Sequence, residues 1–136
     1  DARGLITGLT RDSDWKTLVR ATVESVAYQS NDLFYSMNKD GLKPRIVKID
    51  GGMITNNWFS QFLANIINLK VLRPKILETT AFGAALLAGY QIGEFKSLNH
   101  IKNTWRKDKE FVPKIDKKLR NHLLQGWQQA IKKTLA

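Results

Sequence analysis

The sequence predicts an α/β fold in which strands and helices alternate along the chain. Three segments, 3–10, 45–50 and 70–75, are rich in β-branched and other apolar residues and have the length of strands. Longer segments with apolar residues at helical spacing follow each of them. The predicted order is β-α-β-α-β-α-α, which is typical of a layer of parallel strands covered by helices.

The first two elements are a strand at 3–10, RGLITGLT, and a long helix behind it. The residues DSD at 12–14 offer N-cap side chains for that helix. Arg20 and Glu24 lie four positions apart, so we expect them to pair on its surface. Gly41 is a stop signal, which predicts that the helix ends shortly before it.

The later elements follow from the same signals. They are strands at 45–50 and 70–75 and helices at 56–68, 78–93 and 116–134, together with a short helix at 97–106 that is not counted in the order above. Thr79 or Thr80 is the expected cap of the helix at 78–93, and Gly93 is expected to close it.

Composition indicates one globular domain and excludes several classes of protein. The chain has 136 residues, 43% of them hydrophobic, and no stretch approaches the roughly 20 apolar residues of a membrane span. There is no cysteine, which excludes disulfides and thiolate metal sites and fits a reducing compartment, so we expect a cytoplasmic protein. The two histidines lie far apart in sequence, which argues against a metal site built on histidine.

The net charge of +10 is concentrated in the last third of the chain. Residues 96–136 hold 11 basic and 3 acidic residues, a balance of +8. One interpretation is a non-enzymatic α/β module that binds nucleic acid or another polyanion through this segment. The other, which we favour, is a solvated helical surface in a lysine-rich protein.

The stretch DGGMITNN, residues 50–57, joins a predicted strand to a predicted helix through two glycines. A turn needs at most one residue with unrestricted φ, so the second glycine suggests a ligand that approaches the backbone closely. Asn56 or Asn57 could then hydrogen-bond a base or a sugar. The alternative is a tight turn with Asn56 as an ordinary N-cap. Neither of the common nucleotide-binding glycine spacings is present.

The sequence alone does not assemble a catalytic set. Asp50 and Glu24 are possible catalytic carboxylates, but no pair of acids has an evident acid/base spacing. Thr79 and Thr80 could bind an anion at a helix start, although capping explains them equally well.

Several segments together resemble the FGGY family of carbohydrate kinases, in its carboxyl-terminal region. They are ARGLITGLTRDSDW, LVRATVESVAYQSNDL, IDGGMITNNWFSQFLANI, VLRPKILETTAFGAALLAGYQIGEF and GWQQAIKKTLA. Within the family they are most similar to members that phosphorylate glycerol. The resemblance implies a partial ribonuclease-H-like domain of the actin-like ATPase superfamily. It identifies residues 1–136 as the carboxyl-terminal part of the second, nucleotide-side domain, with the amino-terminal kinase domain absent.

The resemblance also implies a reaction and its participants. Members of this kind transfer the γ-phosphate of ATP to glycerol, with Mg²⁺, giving sn-glycerol 3-phosphate. Gly52 and Asn56 match the family's ATP-contacting glycine and asparagine, and Gly51 is their neighbour. The catalytic base, the metal site and most glycerol contacts have no counterpart here, so we expect the chain alone to be inactive. The expected partners are glycerol and ATP or ADP, without membrane or nucleic acid, and the parent is expected to form a homo-oligomer.

Overall fold

The structure is a computed structural model and describes residues 4–135. It contains five helices, three strands and one 3₁₀ turn within that range. In chain order they are α1 (Trp15–Lys39), β1 (Ile46–Lys48), the 3₁₀ turn (Gly52–Thr55), α2 (Asn57–Ile67), β2 (Lys70–Pro74), α3 (Thr79–Gln91), α4 (Leu98–Lys102), β3 (Lys107–Phe111) and α5 (Lys117–Leu135).

Helix α1 begins and ends where the sequence predicts. The Asp14 carboxylate accepts a hydrogen bond from the Thr17 amide at 2.8 Å, which satisfies one of the free amides at the helix start. Arg20 Nε lies 2.7 Å from Glu24 Oε1, so the predicted pair is confirmed. The helix ends at Lys39, and Gly41 follows with a φ of 87°.

The predicted first strand is wrong for residues 4–10, and residue 3 lies outside the described residues. This segment is irregular, and Gly8 has a φ of 81°, which interrupts an extended backbone. Within residues 4–135 the order is therefore α-β-α-β-α-α-β-α. The α/β class itself is confirmed.

The sheet is mixed, whereas the sequence predicts parallel strands. The strand order is β1-β2-β3, with β1 and β2 parallel and β2 and β3 antiparallel. Strand β3 was not predicted from the sequence, and its residues KDKEF place one buried side chain, Phe111, against the core. The predicted helix at 97–106 is correspondingly shorter, because the chain turns after Lys102 to enter β3.

Helix α2 is the centre of the core. Seven of its residues are buried, among them Phe59, Leu63 and Ile66. They contact Ala27 and Tyr28 of α1 on one side and the sheet on the other. Because α2 is clamped in this way, the loop that precedes it has a fixed point of attachment.

Helix α3 differs from its prediction in two respects. Its N-cap position is occupied by Glu78 without a side-chain hydrogen bond, so neither Thr79 nor Thr80 caps it. No α3 residue is buried among the described residues, although the helix is largely apolar. Helix α3 ends at Gln91 and the predicted closing residue, Gly93, has a φ of 85°.

None of the helices within residues 4–135 has both the length and the apolar character that crossing a membrane requires.

Candidate functional site

The loops that leave β1 and β2 meet at the carboxyl edge of these parallel strands. The segment 50–56, which we call the glycine turn, follows β1. Its Gly51 amide donates a hydrogen bond to the carbonyl of Leu77, in the loop behind β2, at 3.4 Å. The Thr79 hydroxyl donates to the Asp50 carboxylate. Two neighbouring loops are thus joined at the edge where α/β proteins commonly bind ligands.

The two glycines of the turn have different conformations. Gly51 has φ 88° and ψ 174°, a region that is essentially restricted to glycine. Gly52 does not have a positive φ, and a Cβ built on it would meet no atom within 4 Å. The turn therefore explains the first glycine but not the second. At Gly52 the backbone is open to a flat ligand.

Asn56 is the N-cap of α2. Its Oδ1 accepts hydrogen bonds from the amides of Trp58 at 2.9 Å and Phe59 at 3.3 Å. Among the described residues, no acceptor pairs with its Nδ2. The capping role and a ligand contact are therefore compatible, because they use different atoms of one side chain. The start of α2 also carries the partial positive charge of a helix N-terminus.

The end of the glycine turn is held by two residues, Arg73 and Ser60, that were not predicted from the sequence to belong to the site. Arg73, on β2, donates from Nη1 to the carbonyls of Ile54 at 2.8 Å and Thr55 at 3.3 Å. The buried Ser60 hydroxyl also donates to the Ile54 carbonyl, at 3.1 Å. The available signal for Arg73 was a charged residue directly after two apolar ones, Val71 and Leu72, in a predicted strand.

The two candidate carboxylates have separate settings. Asp50 lies in the glycine turn and accepts from Thr79, whereas Glu24 lies on α1 with Arg20 and Tyr28. Within residues 4–135 there is no group of three or more histidine or acidic side chains that could hold a metal ion. The side chains available at this edge are those of Asp50, Thr79 and Asn56, beside the backbone amides of the glycine turn.

Comparisons with known proteins identify relatives along nearly the whole chain. Residues 1–92 match the family model described as the FGGY family of carbohydrate kinases, C-terminal domain. Glycerol kinase from Gluconobacter oxydans (strain 621H) is 47% identical over 136 residues, which cover 99% of this chain and 27% of the relative. Glycerol kinase from Saccharolobus islandicus (strain M.14.25 / Kamchatka #1) is 42% identical over 135 residues, which cover 98% of this chain and 27% of that relative. The chain thus spans about a quarter of the length of these relatives.

Solved structures of related kinases have the same architecture. A crystal structure of Plasmodium falciparum glycerol kinase with ADP has a TM-score of 0.86 and 37% sequence identity, covering 100% of this chain and 28% of that one. A ligand-bound xylulose kinase from Lactobacillus acidophilus has a TM-score of 0.71 at 24% identity, covering 98% and 26%, which supports the fold alone. The predicted partial ribonuclease-H-like domain of the actin-like ATPase superfamily is confirmed by these likenesses. The chain belongs to the FGGY family of carbohydrate kinases, and its residues 1–92 match the C-terminal domain of that family.

Proposed function

We propose that this chain is the adenine-nucleotide-binding part of a glycerol kinase, which transfers the γ-phosphate of ATP to glycerol and forms sn-glycerol 3-phosphate. The observation that carries the proposal is the open backbone at Gly52, next to a glycine that the turn itself requires. Its relatives are glycerol kinases, and one related structure was determined with ADP. A cytoplasmic location belongs to the same proposal and is supported by the absence of cysteine.

Each residue of the glycine turn has a distinct part in the proposed site. Gly51 gives the turn its shape, since its φ of 88° is unfavourable for other residues. Gly52 lets the adenosine lie against the main chain, because no Cβ stands in the way. Asn56 donates from Nδ2 to the nucleotide while its Oδ1 continues to cap α2.

The contribution of this chain to the reaction is to hold the nucleotide. ATP supplies the phosphoryl group that is transferred, and catalysis of such transfers depends largely on positioning and charge stabilisation. Among residues 4–135 no three histidine or acidic side chains lie together, and the glycine turn holds one carboxylate, Asp50, so we assign the chain no proton-transfer step. The chain by itself should therefore not phosphorylate glycerol, and measurable turnover by the purified 136-residue chain would contradict this.

The proposal is best tested in a chimeric kinase, in which this chain replaces the matching 27% of the Gluconobacter oxydans glycerol kinase. Gly52→Ala should raise the KM for ATP by about tenfold, because the added methyl group occupies the space of the adenosine. The KM for glycerol and the Tm should stay unchanged, since that methyl group would meet no protein atom within 4 Å.

Two further variants complete this test. Asn56→Asp keeps a capping oxygen but loses the amide donor, so ADP affinity should fall while α2 remains intact. Gly126→Ala, on α5, is the matched control, because its Cβ would also meet nothing within 4 Å and it lies outside the glycine turn. Unchanged ADP affinity in both Gly52→Ala and Asn56→Asp would overturn the proposed site.

A polyanion-binding module remains the alternative, and the comparisons do not favour it. Part of the basic excess of residues 96–136 serves the fold, since Arg120 donates to the Ile66 carbonyl and Lys107 pairs with Glu110. A polyanion-binding module would bind nucleic acid tightly, and its affinity would fall steeply as the salt concentration rises.

A further inference from the structure

We infer that Arg73 is a positioning residue for nucleotide binding, which holds the glycine turn in its binding shape from behind. The inference rests on the proposed function and assigns a role to a side chain outside the glycine turn. Arg73 lies on β2, and its side chain is only 12% exposed. Its guanidinium contacts β3 on one side and the glycine turn on the other.

The contacts of Arg73 are divided between two nitrogen atoms. Nε donates to Asp108 Oδ2, on β3, at 2.7 Å. Nη1 donates to the carbonyls of Ile54 and Thr55, at 2.8 and 3.3 Å. The planar guanidinium presents several donors in a fixed fork, and so it can bridge a carboxylate and two carbonyls at once.

These carbonyls lie at the end of the 3₁₀ turn (Gly52–Thr55), where the backbone lacks internal partners. The last carbonyls of a helical segment need donors from elsewhere, and a cation is favourable there. The Ile54 carbonyl receives two donors, Arg73 Nη1 and the fully buried Ser60 hydroxyl at 3.1 Å. Gly52 begins this turn and Asn56 follows it, so its position fixes the spacing of both proposed ligand contacts.

Charge indicates that Arg73 acts on the turn rather than on a phosphate. Its Nε is paired with Asp108, which offsets the positive charge, and its Nη1 is directed at main-chain carbonyls. A displacement of the order of 1 Å in a binding group can lower activity by about a hundredfold, so a mobile turn would weaken nucleotide binding.

The experiment uses the chimeric kinase with Arg73→Lys and Asp108→Asn. Hydrogen exchange of the amides at 52–56, measured without nucleotide, reports the turn directly. We expect these amides to exchange about tenfold faster in Arg73→Lys, because the loss of one hydrogen bond of ordinary strength makes local opening of the turn easier by about that factor. The KM for ATP should rise by roughly three- to tenfold, with kcat and the KM for glycerol within about twofold.

Asp108→Asn is included in case Arg73→Lys fails to fold. The Asp108 side chain is 43% exposed, so its replacement should be tolerated, and the hydrogen bonds from Arg73 to the turn can still form. Asp108→Asn should also speed exchange at 52–56 and raise the KM for ATP, but by less than Arg73→Lys does. Glu110→Gln is the matched control, since Glu110 pairs with Lys70 across the same two strands at 3.0 Å without contacting the glycine turn. It should leave both the exchange and the KM for ATP unchanged.

The outcomes separate this inference from the proposed function. Unchanged exchange at 52–56 in Arg73→Lys and Asp108→Asn would overturn the positioning role. Faster exchange with an unchanged KM for ATP would also overturn it, if Gly52→Ala still weakens nucleotide binding. If Gly52→Ala and Asn56→Asp have no effect on nucleotide affinity, the proposed function fails instead.

Discussion

The Tyr28 hydroxyl is held in an apolar and negatively charged setting. The side chain is 8% exposed, its ring stacks on Trp127 at 5.5 Å, and its hydroxyl faces Glu24 Oε2 at 3.5 Å. Burial, and then the charge of Glu24, raise the pKa of Tyr28 to about 12 from its ordinary 10.0. The neutral phenol is thus favoured in the folded chain.

This pKa shift predicts a loss of stability at alkaline pH. Between pH 10 and 12 the unfolded chain loses the Tyr28 proton and the folded chain retains it, so the free energy of unfolding falls as pH rises. Tyr28 should contribute up to about 2 kcal/mol below pH 10, and this should be lost near pH 12. Urea unfolding across this range measures it, with Tyr28→Phe as the control that lacks the effect. Parallel pH profiles for the two proteins would contradict the prediction.

At the same scale, the sequence predicts part of the candidate site. Two glycines and an asparagine after a strand suffice to predict a turn that leads into a helix, because their backbone preferences are local, whereas ligand binding at this turn stays a prediction. Which glycine is structural depends on the φ of Gly51, which only the folded turn defines. The sequence signals a charge at Arg73 but not its contact, because the Ile54 carbonyl lies 19 residues away and becomes its neighbour only in the folded chain.

Among the elements, α5 is attached to α1 and α2 by a small set of polar contacts. Arg120 Nε donates to the Ile66 carbonyl at 2.7 Å, and its Nη2 donates to Asn31 Oδ1 at 2.9 Å. Trp127 Nε1 donates to Asp32 Oδ2 at 2.6 Å. These bonds direct α5 across the core, with the Trp127 ring against Tyr28.

Trp127→Phe should destabilise the chain by about 1–2 kcal/mol, since it removes a hydrogen bond to a carboxylate while retaining an aromatic ring. Gln128→Ala is the matched control, because Gln128 Nε2 binds the other oxygen of Asp32, at 3.1 Å, from an exposed position. It should change the free energy of unfolding by less than about 0.5 kcal/mol. Urea denaturation compares the two, and equal effects would contradict a structural role for the indole N–H.

The elements that sequence reasoning predicts well are those with local signals. Helix α1 has its cap at Asp14 and its stop near Gly41, and both positions are confirmed. Strand β3 was missed because KDKEF is mostly charged and exposed, and it forms a strand only because β2 pairs with it. Residues 4–10 have strand-like composition but no strand partner among the described residues, so composition alone misled the prediction.

For the whole molecule, the exposed surface is large for its mass. The accessible area is 10,219 Å². A compact monomer of 15.5 kDa would have roughly 7,200 Å². Apolar side chains contribute to the difference, including Ile46 at 51% and Leu87 at 60% exposed. Surfaces of this kind commonly take part in further protein contacts.

The two outer strands of the sheet differ in how they are protected. Among residues 4–135, β1 and β3 each pair with one neighbour, β2. Strand β3 carries Lys107 and Lys109, and edge lysines oppose strand pairing between molecules. Strand β1 presents Ile46, half exposed, and its one lysine, Lys48, lies over the Trp105 ring with Nζ 4.0 Å from the ring centroid. We therefore expect β1 to be the edge through which the chain associates.

The 136-residue chain on its own should self-associate, and Ile46→Lys should reduce this. A lysine at an open strand edge places an unpaired charge against any strand that docks there. It therefore destabilises the associated state and not the free chain. Light scattering should give a mass that rises with concentration for the unsubstituted 136-residue chain and stays closer to 15.5 kDa for Ile46→Lys. Leu33→Lys makes the same change at a 61% exposed position of α1 and should leave the association intact. A monomeric mass at every concentration would contradict the prediction, and equal effects of the two lysines would place the contact away from β1.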